Sequence, residues 1–442
     1  MPGPSGRPNR FSERSTVKNL VRTTALRAVR SRAWKNTSKW IRGTERWQQL
    51  EDEYDGSYVK AEVVVYFGDR NPKFYQLSQW IPVLEELHGK HRVVLVFRKP
   101  SALLEARELT RLPMALKRRF DPLHTFYHAN DFKLALYVNN GMSNFQSLGF
   151  APMVHVHVNH GESDKLSMVS NQAKSYDKVF VAGDAAINRH RKSLVDFDES
   201  ALVKVGRPQL DIDREPELES SSATTIMYAP TWEGENDANN YTSVDLFGSQ
   251  IVEAALGIDG CRLIYKPHPR VAASNDPAMA EANARILELI ESANESIADH
   301  SLQHQILMEG DILAMFDTVD LLVTDISSVG LDYLYLHPEK PLVLTDRRDD
   351  AAKLNDEAPI SRATPIIDGS TVGQTDGLLR DMLTNDSAAE ARQDLRRHYF
   401  GEGTKGTSTV MFTEAISKLI ANRTSEMKKY HFESTNAEAS DE

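Results

Sequence analysis

The sequence contains one cysteine, Cys261, and no apolar run of the roughly 18 residues that a membrane-spanning helix needs. A single cysteine excludes a disulfide framework and a cysteine-rich metal site, and it fits a reducing compartment. The first residues also lack the apolar core of a secretory signal. We therefore expect a protein that works in the cytoplasm.

Net charge is unevenly distributed along the chain. The whole sequence carries −11, but residues 1–50 hold twelve Lys or Arg against two Glu, so this segment is at +10 and the remainder is at −21. Trp34, Trp40 and Trp47 are interleaved with these cations. The pattern predicts an amphipathic helix that adsorbs to an anionic membrane through residues 10–47. A nucleic-acid arm, a mitochondrial presequence and a plain basic tail are the alternatives, although the acidic remainder argues against nucleic acid as the main substrate.

A length of 442 residues is too long for one ordinary core and indicates two domains of about 150–200 residues each. Beyond residue 58, short apolar segments alternate with helical periodicity, which is typical of α/β domains built on parallel sheets. The predicted units are a basic arm at 1–58, a first domain at 59–214, a linker at 215–225, a second domain at 226–423 and a disordered acidic tail at 424–442. Strands are predicted at 62–67, 92–97, 134–138, 153–158, 178–182, 202–205, 225–229, 262–265, 320–324, 341–344 and 365–367. Helices are predicted near 75–88, 166–174, 185–195, 245–256, 277–293, 304–316, 327–336, 386–398 and 407–421.

Two parallel-sheet domains form a cleft lined by loops at the carboxyl ends of their strands, so polar residues at strand ends are the functional candidates. In "VHVHVNHGESDK", residues 154–165, His155 and His157 share one face of a strand, which leaves a zinc site open as an interpretation. His160 lies past the strand beside Gly161, where it can act as a general base near neutral pH.

Two later strands end in segments with prolines. "MYAPTWEG" leaves its strand with Thr231 and Trp232 at the end, and "LIYKPHPRV" offers Lys266, His268 and Arg270. Three side chains that can carry positive charge on one strand-end loop are suited to binding a pyrophosphate. The structural alternative is a polar loop that the prolines stiffen.

Two adjacent serines follow the strand in "LLVTDISSVGLDYL", which begins at residue 321. Asp325, Ser327 or Ser328 can cap the helix that follows. A helix N-terminus can also bind a phosphate through its free N–H groups, and Asp332 lies one turn farther along the same face. Both interpretations remain open from this segment alone.

These segments together resemble a known family. "HG…K", "YAPTW", "YKPHP" and "TDISSVGLDYL" occur in the order found in the CDP-glycerol glycerophosphotransferase family, the enzymes that prime or polymerise teichoic acids. "HYFGEGTKGTSTVMFTEAI", residues 398–416, is also similar to the C-terminal segment of that family. The resemblance covers roughly residues 134–420.

The resemblance implies a GT-B architecture, with an acceptor-side Rossmann-like domain at 59–214 and a nucleotide-donor domain at 226–423. It implies a CDP-glycerol or related CDP-polyol donor, a lipid-linked acceptor, release of CMP, and peripheral attachment to the inner membrane face. No cofactor is evident, and no metal-binding motif is present, although a Mg²⁺ bound to the diphosphate stays open.

The resemblance also assigns roles to individual residues. His160 matches the proposed base, and His268 matches a second catalytic histidine. The implied donor-binding residues are Gly161, Lys165, Arg207, Thr231, Trp232, Lys266, Ser327, Ser328 and Asp332, with Arg207 shifted by one position from the family pattern. Arg270 and Lys405 are further candidates for phosphate contacts.

The first motif departs from the family pattern W-H-G-T-P-x-K. Asn159 replaces the tryptophan, and Glu162, Ser163 and Asp164 fill the middle. We expect activity to fall on the acid side with an apparent pKa of about 6–7, as the imidazole of His160 takes up a proton. If the two acids lie near His160 in space, they should raise that pKa. The alternative functions are a GT-B glycosyltransferase or epimerase that uses a UDP-sugar, and a non-catalytic scaffold at the membrane.

Overall fold

The computed structural model describes residues 47–56, 58–165 and 168–439, and its core elements are two parallel sheets. A helix, α1, covers 47–53. The predicted membrane segment at 10–47 lies outside the described residues except for Trp47, which packs against the core of the first sheet.

The first sheet has seven parallel strands in the order β3-β2-β1-β4-β5-β6-β7. Every residue of the central strand β1 is buried, because helices cover both faces of the sheet. The strands are β1 Val63–Phe67, β2 Val93–Phe97, β3 Met114–Leu116, β4 Leu134–Tyr137, β5 Val154–His157, β6 Lys178–Val181 and β7 Leu202–Lys204. The helices are α2 Tyr75–Ser78, α3 Ile81–Lys90, α4 Pro100–Leu109, α5 Phe120–His128, α6 Phe145–Leu148, α7 Asp184–Ser193 and α8 Pro208–Asp211.

The second sheet has six parallel strands in the order β10-β9-β8-β11-β12-β13. Its strands are β8 Thr224–Ala229, β9 Cys261–Tyr265, β10 Gln305–Ile306, β11 Leu321–Asp325, β12 Leu342–Thr345 and β13 Ile366–Ile367. Its helices are α9 Gly248–Leu256, α10 Pro277–Asn294, α11 Ser328–Leu336, α12 Ala351–Glu357, α13 Thr375–Thr384 and α14 Ala389–Phe400, and α15 Thr407–Ala439 follows them.

The predicted strands are all present, with ends that differ by a residue or so, and the predicted two-sheet α/β class is confirmed. Two strands, β3 and β10, were not predicted. The helices that were not predicted are α1, α4, α5, α6, α8, α12 and α13. The helix predicted at 304–316 is wrong: this segment contains β10 and short 3₁₀ turns, because Gly310 has a φ of 97° and Asp311 caps a new turn. The helix predicted at 166–174 reduces to a 3₁₀ turn at Asn171–Ser175.

The helix α15 returns to the first sheet. Phe412, Ile416 and Ile420 are buried in the core that β1 and β2 form, so part of the predicted second domain completes the first core. Phe412 packs 5.3 Å from the ring of Trp80, measured between ring centroids. The predicted disorder from residue 424 also differs from the structure, because α15 continues to Ala439 and no proline or glycine interrupts it.

We expect Phe412→Ala to lower the free energy of unfolding by about 3–5 kcal/mol, because it leaves a cavity under the first sheet. Val410→Ala is the matched control on the same helix, since Val410 is 56% exposed, and it should change stability by about 0.5 kcal/mol or less. Urea unfolding measures both. Equal midpoints for the two variants would mean that α15 adds little to this core.

Candidate active site between the two sheets

Residues at strand ends of the first sheet meet residues at strand ends of the second. In the loop after β5, Lys165 donates a hydrogen bond from Nζ to the hydroxyl of Thr231, which follows β8, at 3.1 Å. In the same loop, a Cβ on Gly161 would lie 3.8 Å from the Cβ of Ser328 at the start of α11. The structure thus brings together segments that lie far apart in the sequence.

Arg207 connects the two halves of this junction. Its Nη2 lies 2.7 Å from Oδ1 of Asp332, and both side chains are at most 10% exposed. Nη1 of Arg207 makes longer contacts, 3.5 Å to the carbonyl oxygen of His160 and 3.4 Å to Oε1 of Gln209. Burial raises the pKa of Asp332, and the guanidinium of Arg207 opposes this shift. The carboxylate of Asp332, which the resemblance assigns to donor binding, is therefore bound to an arginine in this structure.

His160 is held in a loop with unusual backbone geometry. Asn159 has a φ of 54°, a left-handed conformation that asparagine tolerates better than most residues. Its side-chain oxygen accepts the His160 N–H at 2.8 Å, and its carbonyl accepts the indole N–H of Trp80 at 2.6 Å. The ring of Tyr75 packs edge-on against the imidazole at 5.7 Å. Asn159 thus orients the loop that carries His160.

The pKa of His160 is lowered to about 4, first by burial and then by the positive charges of Arg207 and Lys73. The expectation that Glu162 and Asp164 would raise this pKa is wrong. Both acids pair with Arg189 instead, Asp164 at 2.7 Å, so their charges are compensated away from the imidazole. Nδ1 of His160 is shielded from solvent, and a backbone hydrogen bond with Val138 partly opposes the lowering of the imidazole pKa.

The loop after β9 supplies positive charge. The pKa of His268 is lowered to about 4, first by burial and then by the positive charges of Lys165, Arg270 and Lys266. The guanidinium of Arg270 lies 4.2 Å from the ring centre of Trp232, which also packs beside His268. Three cations therefore surround a neutral histidine, an arrangement that favours an anionic ligand.

The two serines differ in their contacts. Ser327 is the N-cap of α11, and its hydroxyl accepts the N–H of Val329 at 3.3 Å. Ser328 is the first residue of the helix and faces Gly161. The capping interpretation therefore applies to Ser327, and Ser328 is the better placed of the two to meet a ligand from the first sheet.

The sequence suggested Asp325 only as a possible helix cap, whereas in the structure it links the ends of β8, β11 and β12. Asp325 is fully buried, and its carboxylate accepts the Thr231 N–H and the Thr345 hydroxyl, each at 2.6 Å. Burial raises its pKa to about 6. The only sequence signal was an acid at the end of an apolar strand. Tyr241 was also missed, although its ring lies 4.2 Å from the guanidinium of Arg348 and 5.4 Å from Nζ of Lys165.

Lys405 stands apart from the other candidates. Its ammonium pairs with Asp213 at 2.7 Å on the surface, away from the strand-end residues. A role for Lys405 at a phosphate would require this pair to open.

The histidines of β5 are packed inside the first sheet. His155 is hydrogen-bonded to the Tyr137 hydroxyl at 2.8 Å and to the Phe150 carbonyl at 3.0 Å, and His157 stacks on Tyr176. Among the residues that the structure describes, no group of three His, Cys, Asp or Glu could hold a metal ion. In the same part of the chain, no helix has the length and apolar character to cross a membrane.

The fold and the meeting of strand ends define a GT-B type of protein. A protein assigned as a UDP-N-acetylglucosamine 2-epimerase from Listeria monocytogenes has a similar fold, with a TM-score of 0.57 at 14% identity over 82% of this chain and 98% of that one. The wall teichoic acid polymerase TagF is similar with a TM-score of 0.51 at 16% identity, over 84% of this chain and 91% of the other. The predicted GT-B architecture is confirmed.

The sequence also matches the model of one protein family over residues 84–349. The chain belongs to the CDP-glycerol:poly(glycerophosphate) glycerophosphotransferase family, as its motifs predicted. A search among curated proteins finds no match. The chain is therefore a transferase of this family.

We expect Ser327→Ala to lower the free energy of unfolding by about 1 kcal/mol, because the Val329 N–H loses its cap. Ser328→Ala is the neighbouring control. It should change stability by about 0.5 kcal/mol or less, because the hydroxyl that caps the Val329 N–H belongs to Ser327. Denaturant unfolding of the two variants tests this. The reverse order of effects would contradict the assignment of Ser327 as the cap.

Proposed function

We propose that the protein transfers glycerol phosphate, or a related polyol phosphate, from a CDP-activated donor to a membrane-linked acceptor in the synthesis of a teichoic-acid-like wall polymer, with release of CMP. The observation that carries this proposal is the junction of His160, Lys165 and the start of α11, where a base, a cation and free helix N–H groups lie together. The family and the likeness to a teichoic acid polymerase support it.

The donor diphosphate fits the cationic side of the junction. Lys165, Lys266 and Arg270 can neutralise its charge, and the first N–H groups of α11 beside Ser328 can donate to its oxygens. Phosphoryl transfer requires mainly positioning and charge stabilisation, which these groups provide. The ring of Trp232, under the guanidinium of Arg270, offers an apolar surface at the same end of the site.

In the proposed reaction, the neutral imidazole of His160 removes the proton of the acceptor hydroxyl. The hydroxyl oxygen attacks the phosphorus that bears glycerol, and a new P–O bond forms. The bond from this phosphorus to the bridging oxygen breaks, and the bridging oxygen leaves with CMP. His160 holds the proton, and Arg207 keeps the loop of His160 beside α11.

The low pKa of His160 in the ligand-free protein has a consequence for this step. A dianionic diphosphate beside the imidazole would favour its protonated form and raise its pKa, so the base becomes stronger when the donor is bound. The free enzyme and the donor complex should therefore differ in their pH dependence.

Incubation of the purified protein with CDP-glycerol and a lipid-linked acceptor, followed by an assay of CMP, tests the reaction. A parallel incubation with UDP-sugars separates the alternatives, because a sugar transferase or epimerase would consume them and leave CDP-glycerol intact. A scaffold would turn over neither donor and would still bind the membrane.

If His160 is the base, His160→Ala should lower kcat by at least about 100-fold and change the Kd of CDP-glycerol only a few-fold. For the unmutated enzyme, the acid limb of kcat/KM should have an apparent pKa near 4, since this parameter reports the free enzyme. The acid limb of kcat should lie at higher pH, because bound donor raises the pKa of the imidazole. Steady-state kinetics between about pH 3.5 and about pH 8 measure both limbs. This range extends beyond the ordinary histidine pKa of about 6.5 on the alkaline side.

Near-normal turnover by His160→Ala would place the base elsewhere, and His268 would be the next candidate. Coincident acid limbs for kcat and kcat/KM would contradict the electrostatic coupling between donor and imidazole.

We further propose that the basic segment attaches the protein to the inner face of the cell membrane. The described part of the chain begins at Trp47, which packs against the first core, and Leu50 is also buried. Deletion of residues 1–46 should therefore spare the fold while removing twelve cations.

We expect this deletion to abolish sedimentation with vesicles that contain anionic lipid, and to leave the thermal midpoint of the protein unchanged. Binding of the full chain should weaken as salt increases, because each cation contributes roughly 1 kcal/mol that salt screens. Vesicles of neutral lipid are the control. Equal binding of both forms to anionic vesicles would contradict the anchor.

A further inference from the structure

A buried cluster of charged side chains lies behind the loop that carries His160. Arg189 of α7 forms ion pairs with Glu162 and Asp164, and its Nη1 donates a hydrogen bond to Oδ1 of Asp164 at 2.7 Å. The hydroxyl of Tyr399, from α14, donates to the other oxygen of Asp164. The side chain of Asp164 is 1% exposed and that of Glu162 is 7% exposed.

Burial makes this cluster dependent on its internal pairing. A carboxylate in such an environment must be paired and hydrogen-bonded, because an isolated buried charge is strongly unfavourable. Burial raises the pKa of Asp164 to about 7, and the hydrogen bond from Tyr399 opposes this shift. Both oxygens of Asp164 accept a hydrogen bond, so its side chain has little freedom to move.

The cluster spans the two halves of the molecule. α7 packs on the first sheet, whereas Tyr399 belongs to the core of the second. The hydroxyl oxygen of Tyr399 also accepts the N–H of Ile360 at 3.0 Å, which fixes its position from the second side. A Cβ on Gly183, just before α7, would overlap the carbonyl of Tyr399, so the two helices are in direct contact there.

Asp164 and Glu162 lie within three residues of Lys165, which reaches the second sheet. Asp164 is followed directly by Lys165, whose ammonium reaches Thr231 and lies over the ring of Tyr241. Lys165 N–H also bonds to the Ser163 hydroxyl at 3.2 Å. A rotation of the Asp164 backbone would therefore carry Lys165 away from the second sheet.

We propose that Glu162, Asp164, Arg189 and Tyr399 are positioning residues that hold the loop after β5 so that Lys165 meets the donor diphosphate. This inference rests on the proposed function for the identity of the ligand. The acids that interrupt the family motif are then part of a clamp with Arg189 and Tyr399, and they act on the donor through Lys165.

Tyr399→Phe tests the clamp, because it keeps the ring and removes one hydrogen bond to Asp164. Tyr333→Phe is the matched control: Tyr333 lies in the same core and is fully buried, and its hydroxyl donates to the Val319 carbonyl, away from the loop. Each change is made in the full chain and in a Lys165→Ala background, and Kd for CDP-glycerol is measured by calorimetric titration.

We expect Tyr399→Phe to raise Kd about tenfold, as loss of a hydrogen bond to a buried charged group would, and Tyr333→Phe to leave it within about twofold. In the Lys165→Ala background, Tyr399→Phe should change Kd by about twofold or less, because the clamp acts through Lys165. Equal effects in both backgrounds would overturn the proposal, since a general loss of stability does not depend on Lys165.

Hydrogen exchange of the amides at 158–165 gives a readout that needs no ligand. Tyr399→Phe should speed their exchange relative to Tyr333→Phe, and unchanged exchange would overturn the clamp whether or not CDP-glycerol binds. Failure of the unmutated protein to bind CDP-glycerol would contradict the proposed function alone. If Tyr399→Phe does not fold, Asp164→Asn replaces it in both measurements with the same expected results.

Discussion

The buried ion pair between Arg207 and Asp332 joins the carboxyl ends of the two sheets at the place where the candidate site lies. Arg207 follows the last strand of the first sheet, and Asp332 lies on the helix after β11 of the second. Removing one partner of such a pair leaves an uncompensated buried charge, at a cost of about 3–5 kcal/mol. Because Arg207 also contacts the carbonyl of His160, the pair fixes the distance between the histidine loop and the start of α11.

The charges around this pair have one pattern. Cations from both sheets converge on the junction, and the two histidines beside them, His160 and His268, both have pKa values lowered to about 4. In each case burial is the main cause and neighbouring cations add to it. Fixed positive charge of this kind favours an anionic ligand, and the neutral imidazole is the form that the proposed proton removal requires.

Local patterns predicted most of the fold. The strands of both sheets are apolar on both faces, so they appear in the sequence as short continuous runs, and the rule that ligands bind at carboxyl ends of parallel strands selected the loops. The strand β10 was not predicted because it has only two residues. The helix predicted at 304–316 does not form, since Gly310 has a left-handed backbone conformation there. The packing of α15 against the first core was not predicted either, because the apolar face of a helix does not indicate which of two sheets it covers.

Pairings within the site could not be predicted in the same way. Asp325 bonds to Thr231 across 94 positions of sequence, and Arg207 bonds to Asp332 across 125. Nothing near either residue in the sequence marks its partner, because the fold brings them together. The sequence therefore predicted the strand-end loops that meet at the junction but not Tyr241 or the links made by Asp325. Three-dimensional packing decided that Asp332 binds one arginine and that Glu162 and Asp164 bind another.

The structure shows how the residues that depart from the family motif are accommodated. Asn159 occupies a left-handed backbone position, which suits asparagine, and its side chain holds the N–H of His160. Glu162 and Asp164 would destabilise a buried loop if they stood alone, but Arg189 compensates both. Loss of the family's tryptophan and proline therefore does not leave an unsupported loop. A different set of contacts holds His160 and Lys165 facing the second sheet, so the altered motif is compatible with a working transferase.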